Sequence, residues 1–186
     1  MPEHFSIRDL SVSLSGTPIL EHITYSVKEP GHMIALLGPN GSGKTTLLRS
    51  ICGELPYDGD IRLNGTDLSG LPPKKLASHI SYVPQQSGIS ISMSVLDVVL
   101  MGFYSRLRLL AQPTGSMRED ALRALSLVGM ADFSDRDYLT LSGGEKQLVI
   151  LARTLIEDTT LLLFDEPDSS LDLGNKYRML RLISQM

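Results

Sequence analysis

The stretch "GPNGSGKTT", residues 38–46, decides the fold. It matches the pattern G-x-x-x-x-G-K-[ST]. It follows "MIALL" (residues 33–37), a short apolar run of the kind expected for a strand buried on both faces. It opens "KTTLLRSIC" (residues 44–52), which reads as a helix. Strand, glycine-rich loop and helix in that order make a phosphate cradle. Backbone N–H groups from about Asn40 to Thr45 form a nest, Lys44 brings a cation to the outer phosphates, and the Thr45 hydroxyl reaches Mg2+. Gly38, Pro39, Asn40, Gly41, Ser42, Gly43, Lys44, Thr45 and Thr46 are therefore the candidate nucleotide contacts. A chance glycine-rich turn is the competing explanation. With Gly at about 7% of residues in general, such a match arises about once in a hundred chains of this size, and the strand–loop–helix setting lowers that further.

A metal partner lies downstream in "TLLLFDEP" (residues 160–167). Its apolar run reads as a buried strand with Asp165 at the carboxyl end, where open α/β sheets bind ligands. There Asp165 can hold Mg2+ through its water shell. Glu166 would point to the opposite face within a strand, but Pro167 ends the strand, so both carboxylates can face one cleft. Glu166 is then the candidate base that polarises a water. Alone, the pair reads equally well as a solvated acidic loop; the phosphate loop tips the balance.

A second glycine pair stands at a helix start. In "LSGGEKQLVILA" (residues 141–152), Ser142 and Glu145 form the S-x-x-E capping box, and Leu148, Leu151, Ala152 and Leu155 follow at helical spacing. The cap does not require Gly143 and Gly144. Residues without side chains leave backbone N–H groups bare, which suits an anion.

Composition limits the class. The 186 residues are 42% hydrophobic and 20% charged, with net charge −4, which favours one globular domain with room for a small second lobe, and gives no nucleic-acid footprint. Cys52 is the single cysteine; it fits a reducing compartment and reads as a small buried apolar residue. No signal peptide is visible and the apolar runs are too short to span a bilayer. "SIRDLSVSL" (6–14), "ILEHITYSV" (19–27), "IRLNG" (61–65) and "ISYVP" (80–84) read as further strands. Helical texture follows residue 85, in "SVLDVVLMG", "SMREDALRALSLVGM" and residues 144–157, and "LGNKYRMLRLISQM" opens a last helix. This is an α/β pattern with a helical insert.

"GPNGSGKTT", "YVPQ", "LSGGEKQ", "LLLFDEP" and "SSLD" occur in the order found in ATP-binding cassette (ABC) ATPase subunits, and the chain resembles that family over almost its whole length. The resemblance implies a P-loop NTPase core with a mostly parallel sheet, an N-terminal antiparallel β subdomain and a helical signature lobe. Residues 1–86 and 158–186 would form the ATP-binding core and residues 87–157 the lobe. It implies Mg·ATP bound between two cassettes paired head to tail, a homodimer in the simplest case. Ser142, Gly143 and Gly144 of one copy would meet the γ-phosphate held by the other. Gln85 would sense metal and water and link the lobes, with Gln86 its fallback, and Asp172 would lie in the loop that crosses the dimer. Glu166 and Gln85 are the catalytic candidates; Thr45, Gln85 and Asp165 are the metal candidates.

The chain departs from the family pattern in two places. Leu14 stands where the family commonly stacks an aromatic residue on adenine, which puts base selectivity in doubt. His4, His22, His32 and His79 all precede "FDEP", so none is the family's switch histidine. The chain therefore reads as C-terminally shortened.

Within the family, "MSVLDVVLMGFYSRL" and its spacing to "LSGGE" look like importer subunits for iron chelates, haem or vitamin B12. Such a subunit works on transmembrane permease partners, cytoplasmic and peripheral at the inner face of the cell membrane, without nucleic acid. Ile89, Ile91 and Met93 face either the permease or the lobe's own core. Arg106 and Arg108 read as a solvated helix edge rather than a lipid site. Two rivals remain: an ATP-gated dimerisation module without hydrolysis, and a non-transport ABC ATPase.

The two explanations of the glycine pair give opposite signs for Gly144→Asp. If the pair serves a partner's γ-phosphate, ATP binding by the monomer survives and ATP-dependent dimerisation, read by sizing chromatography, is lost. If the stretch is only a cap, Asp in the first turn is tolerated or mildly stabilising, and dimerisation matches the parent.

Overall fold

β-Branched and apolar residues at near-alternate positions pair the first segments of the chain into a hairpin. The computed structural model describes residues 3–85, 88–108, 110–167 and 173–183; Gln86 and Asp172 lie outside them. The chain divides into two compact units, Met1–His79 and Ile80–Met186.

In the first unit, β1 (Phe5–Leu14) and β2 (Thr17–Val27) run antiparallel. Ser15 and Gly16, with φ of 50° and 80°, supply the positive dihedrals that a tight hairpin turn demands. β3 (Asp58–Leu63) pairs with the other edge of β1. β4 (Thr66–Asp67) returns through Asn64 and Gly65, also at positive φ, and the sheet order is β2-β1-β3-β4. Phe5, Ile7, Leu10, Val12, Ile61 and Leu63 are buried.

The imperfect alternation of Ile7, Leu10 and Val12 has a structural cause. The register slips between Ile7 and Leu10 and again between Leu10 and Val12, and Asp9 adopts φ 52°. A bulge inserts an extra residue and re-aims the next side chain to the same face. Opposite it, Gly59 has φ 106°, and an added Cβ would lie 2.6 Å from the Asp9 carbonyl oxygen and 2.7 Å from that of Arg8.

The first unit also holds the helices α1 (Lys44–Ile51) and α2 (Pro73–Leu76). Cys52 caps α1 and is half-buried rather than fully buried; burial pushes its thiol up to about 12, so it is not a reactive thiolate.

One expectation fails here. Residues 33–37, read as a strand buried on both faces, form no strand, and Met33, Ile34, Leu36 and Leu37 are exposed, Leu37 to 88%. An apolar run becomes a buried strand only when neighbours pair its backbone and cover its side chains. No strand among the described residues pairs with it.

In the second unit, β5 (Ile80–Val83) and β6 (Leu161–Phe164) pair in parallel, Ile80 opposite Leu161 through Val83 opposite Phe164. The α/β architecture is as read from the sequence. The antiparallel sheet β2-β1-β3-β4 is the expected N-terminal β subdomain, and β5-β6 forms a separate, parallel sheet. The helices are α3 (Val95–Leu100), α4 (Gly115–Val128), α5 (Gly143–Glu157) and α6 (Leu173–Ile183). Val95, Val98 and Val99 of α3, Ala121 and Leu125 of α4, and Val149 to Ala152 of α5 form one apolar core with Met179 of α6.

α5 is fixed at its C-terminal end. A Cβ at Gly102 would lie 2.8 Å from the Arg153 carbonyl oxygen, so the turn after α3 sits directly against α5. Arg106 donates to the Ile156 carbonyl, lies 4.9 Å from the Phe103 ring centre and 3.9 Å from the Asp158 carboxylate. A cation there suits the helix's negative end. Arg106 is thus a brace on α5, not merely a solvated edge.

Gly59→Ala should destabilise the protein by about 1–3 kcal/mol, from positive φ together with contact against backbone that cannot move aside. Gly115→Ala, at the open start of α4 with nothing near its added Cβ, should be neutral or stabilising by up to about 1 kcal/mol. Urea midpoints with unchanged m-values would check both.

Candidate functional site

The glycine-rich loop is shaped by its backbone. Gly41 and Gly43 have φ of 80° and 88°. A Cβ on Gly43 would fall 2.6 Å from the Leu20 side chain, and one on Gly38 2.7 Å from Ser42 Oγ. Position 41 needs glycine for conformation, position 38 for room, and position 43 for both. Gly43 is the N-cap of α1, which has neither a side-chain cap nor an acidic residue in its first turn. The helix start therefore brings no anion of its own to its partly positive end. Lys44 folds back over the loop, donating from Nζ to the carbonyl oxygens of Gly38 (2.9 Å) and Pro39 (3.0 Å). Phosphate oxygens are stronger acceptors for an ammonium than these neutral carbonyls. Thr45 is exposed and Thr46 half-buried.

In the second unit, β6 ends at Phe164, and the ladder continues one residue further, Asp165 N–H donating to the Val83 carbonyl at 2.9 Å. Asp165 is 4% exposed. Tyr82, on β5, donates its phenolic hydrogen to Asp165 Oδ2 at 3.2 Å. Glu166 takes φ 45°, a left-handed conformation for a residue with a side chain just before Pro167. Such an outlier costs about 1–3 kcal/mol and persists where its surroundings fix it. The exposed Glu166 carboxylate accepts from Gln85 Nε2 at 3.0 Å. The structure thus brings Gln85 to Glu166 across 81 positions of sequence. Tyr82 was not among the residues singled out from the sequence. Its signal lies in strand register, which no local motif encodes.

At the start of α5 the capping box is complete. Glu145 N–H donates to Ser142 Oγ at 3.3 Å, and Ser142 N–H donates to the Glu145 carboxylate at 2.7 Å. The Ser142 hydroxyl first, and its backbone N–H second, hold the Glu145 carboxyl below its ordinary value. Gly143 and Gly144 are the first two residues of the helix. Upstream, Ile89 and Met93 pack on the helical core, the second of the two roles open to them, while Ile91 is 63% exposed.

The family description "ABC transporter" matches residues 20–169. An uncharacterized ABC transporter ATP-binding protein of Haemophilus influenzae is 40% identical over 180 residues, 96% of this chain and 68% of that protein. A hemin import ATP-binding protein of a Chelativorans species is 41% identical over 184 residues, 94% of this chain and 68% of that protein. Among solved structures, an inward-facing putative metal-chelate type ABC transporter superposes with TM-score 0.80 at 29% identity, covering 99% of this chain and 68% of that one. The chain thus spans about two thirds of the length of each of these relatives.

The lowered Glu145 value gives the capping box a pH dependence. A carboxyl whose value falls on folding stabilises the protein above its ordinary value of 4.5, and that contribution is lost as pH falls through the folded value. Relative to Glu145→Gln, the parent should be more stable at pH 7 by about 0.3–1 kcal/mol at low salt, less as salt screens it. The difference should vanish in acid below the shifted value, as followed by thermal midpoints across pH.

Proposed function

The chain belongs to the ABC transporter family, and from that premise we propose that it binds and hydrolyses Mg·ATP to power import of an iron chelate or a related metal complex such as haem. One observation carries the catalytic part of this reading: the carboxamide of Gln85 meets the carboxylate of Glu166 at 3.0 Å. A base and a water-orienting amide are what γ-phosphate hydrolysis requires of a protein.

Residues 38–46 bind the phosphates, with Lys44 exchanging its loop carbonyls for phosphate oxygens. Glu166 accepts the proton of the attacking water. Thr45, Gln85 and Asp165 are the residues that would hold Mg2+, and the donor chemistry fits: a buried carboxylate, a hydroxyl and an amide oxygen are all hard ligands. Mg2+ is normally held by one or two carboxylates together with substrate phosphates and waters. When bound, it supplies charge neutralisation at the β- and γ-phosphate oxygens.

The working unit is a head-to-tail pair of copies, in which Ser142, Gly143 and Gly144 of one face the γ-phosphate bound by the other, and Asp172 lines the crossing. Residues 1–86 and 158–186 act as the ATP-binding core and residues 87–157 as the lobe that answers to a permease. The exposed Ile91 supports an apolar contact there. Among the described residues no helix is long and apolar enough to cross a membrane; the peripheral place on the cytoplasmic face follows the reading of the chain as a transporter's ATP-binding subunit. The import substrate follows the hemin and metal-chelate relatives.

Glu166→Gln should keep ATP binding and lose turnover by at least about a hundredfold, since Gln keeps the shape but cannot accept a proton. With ATP, sizing chromatography should show a stable dimer for the variant. Turnover at the parental rate, or a monomer in every condition, would count against the assignment.

A further inference from the structure

We propose that Tyr82 is a positioning residue for the nucleotide-borne metal, setting the orientation of the Asp165 carboxylate. The inference rests on the reading of Asp165 as a metal-holding residue. Strand register carries it. Ser81 and Tyr82 are successive residues of β5 and point to opposite faces. Ser81 is tied to Thr159 through their hydroxyls at 2.7 Å, just before β6. Tyr82 pairs with Leu163 and Val83 with Phe164, and the Val83 carbonyl takes the Asp165 N–H at 2.9 Å. The backbone of Asp165 is thereby held beside β5, and the rigid phenol, two positions back from its carboxyl in register, reaches Oδ2 at 3.2 Å.

The contact matters because Asp165 is 4% exposed. A carboxylate away from water needs hydrogen-bond donors, and each donor narrows the rotamers it can take. A donor on Oδ2 fixes the plane of the carboxylate and with it the direction in which Asp165 presents its other oxygen. A metal that demands near-ideal octahedral geometry is sensitive to that direction. Tyr82→Phe would keep the ring and its packing while removing the hydroxyl that donates to the acid.

The test is an ATP-binding titration on the full chain with Tyr82→Phe, Asp165→Asn and the parent, run in EDTA and across a MgCl2 series. Tyr82→Phe should bind ATP as the parent does in EDTA, and should need about three- to tenfold more Mg2+ for the metal-dependent gain in affinity, the scale of one ordinary net hydrogen bond. Asp165→Asn should lose most of that gain. If Asp165→Asn loses the gain and Tyr82→Phe follows the parental Mg2+ curve, the positioning role is overturned while the metal reading stands. If Asp165→Asn also follows the parent, the metal reading fails and takes the inference with it. If Tyr82→Phe weakens binding equally with and without Mg2+, Tyr82 serves packing alone and the proposal is wrong.

Discussion

The parallel pairing of β5 with β6 is the constraint on which the acidic site depends. Four residues of each strand are in register, yet the pairing brings Tyr82 to Asp165 and Gln85 to Glu166. It also supplies the carbonyl that receives the Asp165 N–H and so carries the ladder past the end of β6. A slip of one residue would turn every side chain of β5 to the other face. The core of α3, α4 and α5, which includes Val83 and has Phe164 packed against it, protects that register, because a slip would expose buried apolar surface.

The two glycine-rich helix starts solve the same problem differently. Both α1 and α5 have N–H groups without intrahelical partners in their first turns. α5 satisfies part of its set internally through Ser142 and Glu145 and carries a negative charge at its positive end. α1 has no cap and no acid, and Lys44 closes back on the loop carbonyls. The physical contrast suits α1 to hold an anion tightly within its own chain. It leaves α5 with a preformed, self-capped start.

Strain and bracing concentrate around these features. Glu166 holds a left-handed φ, while the far end of α5 is braced by Arg106 and by the close seat of Gly102. These contacts fix the C-terminal end of α5, the helix whose N-terminus is proposed to engage a second copy.

The sequence by itself determined the glycine-rich loop, the capping box, the adjacent acids and the helices it singled out, because each is set by local chemistry: glycine where φ is positive, Ser and Glu three residues apart, an apolar stripe at helical spacing. It also determined family membership, since five short motifs kept their order. Tertiary structure decided what local chemistry does not encode. The bulge at Asp9 and the need for glycine at position 59 arise between strands. Tyr82 as a partner of Asp165 follows from register between segments some eighty residues apart. The failure of residues 33–37 to form a strand has the same cause. Their apolar composition fixes what they would bury, but a strand exists only where another segment supplies its hydrogen bonds and its cover.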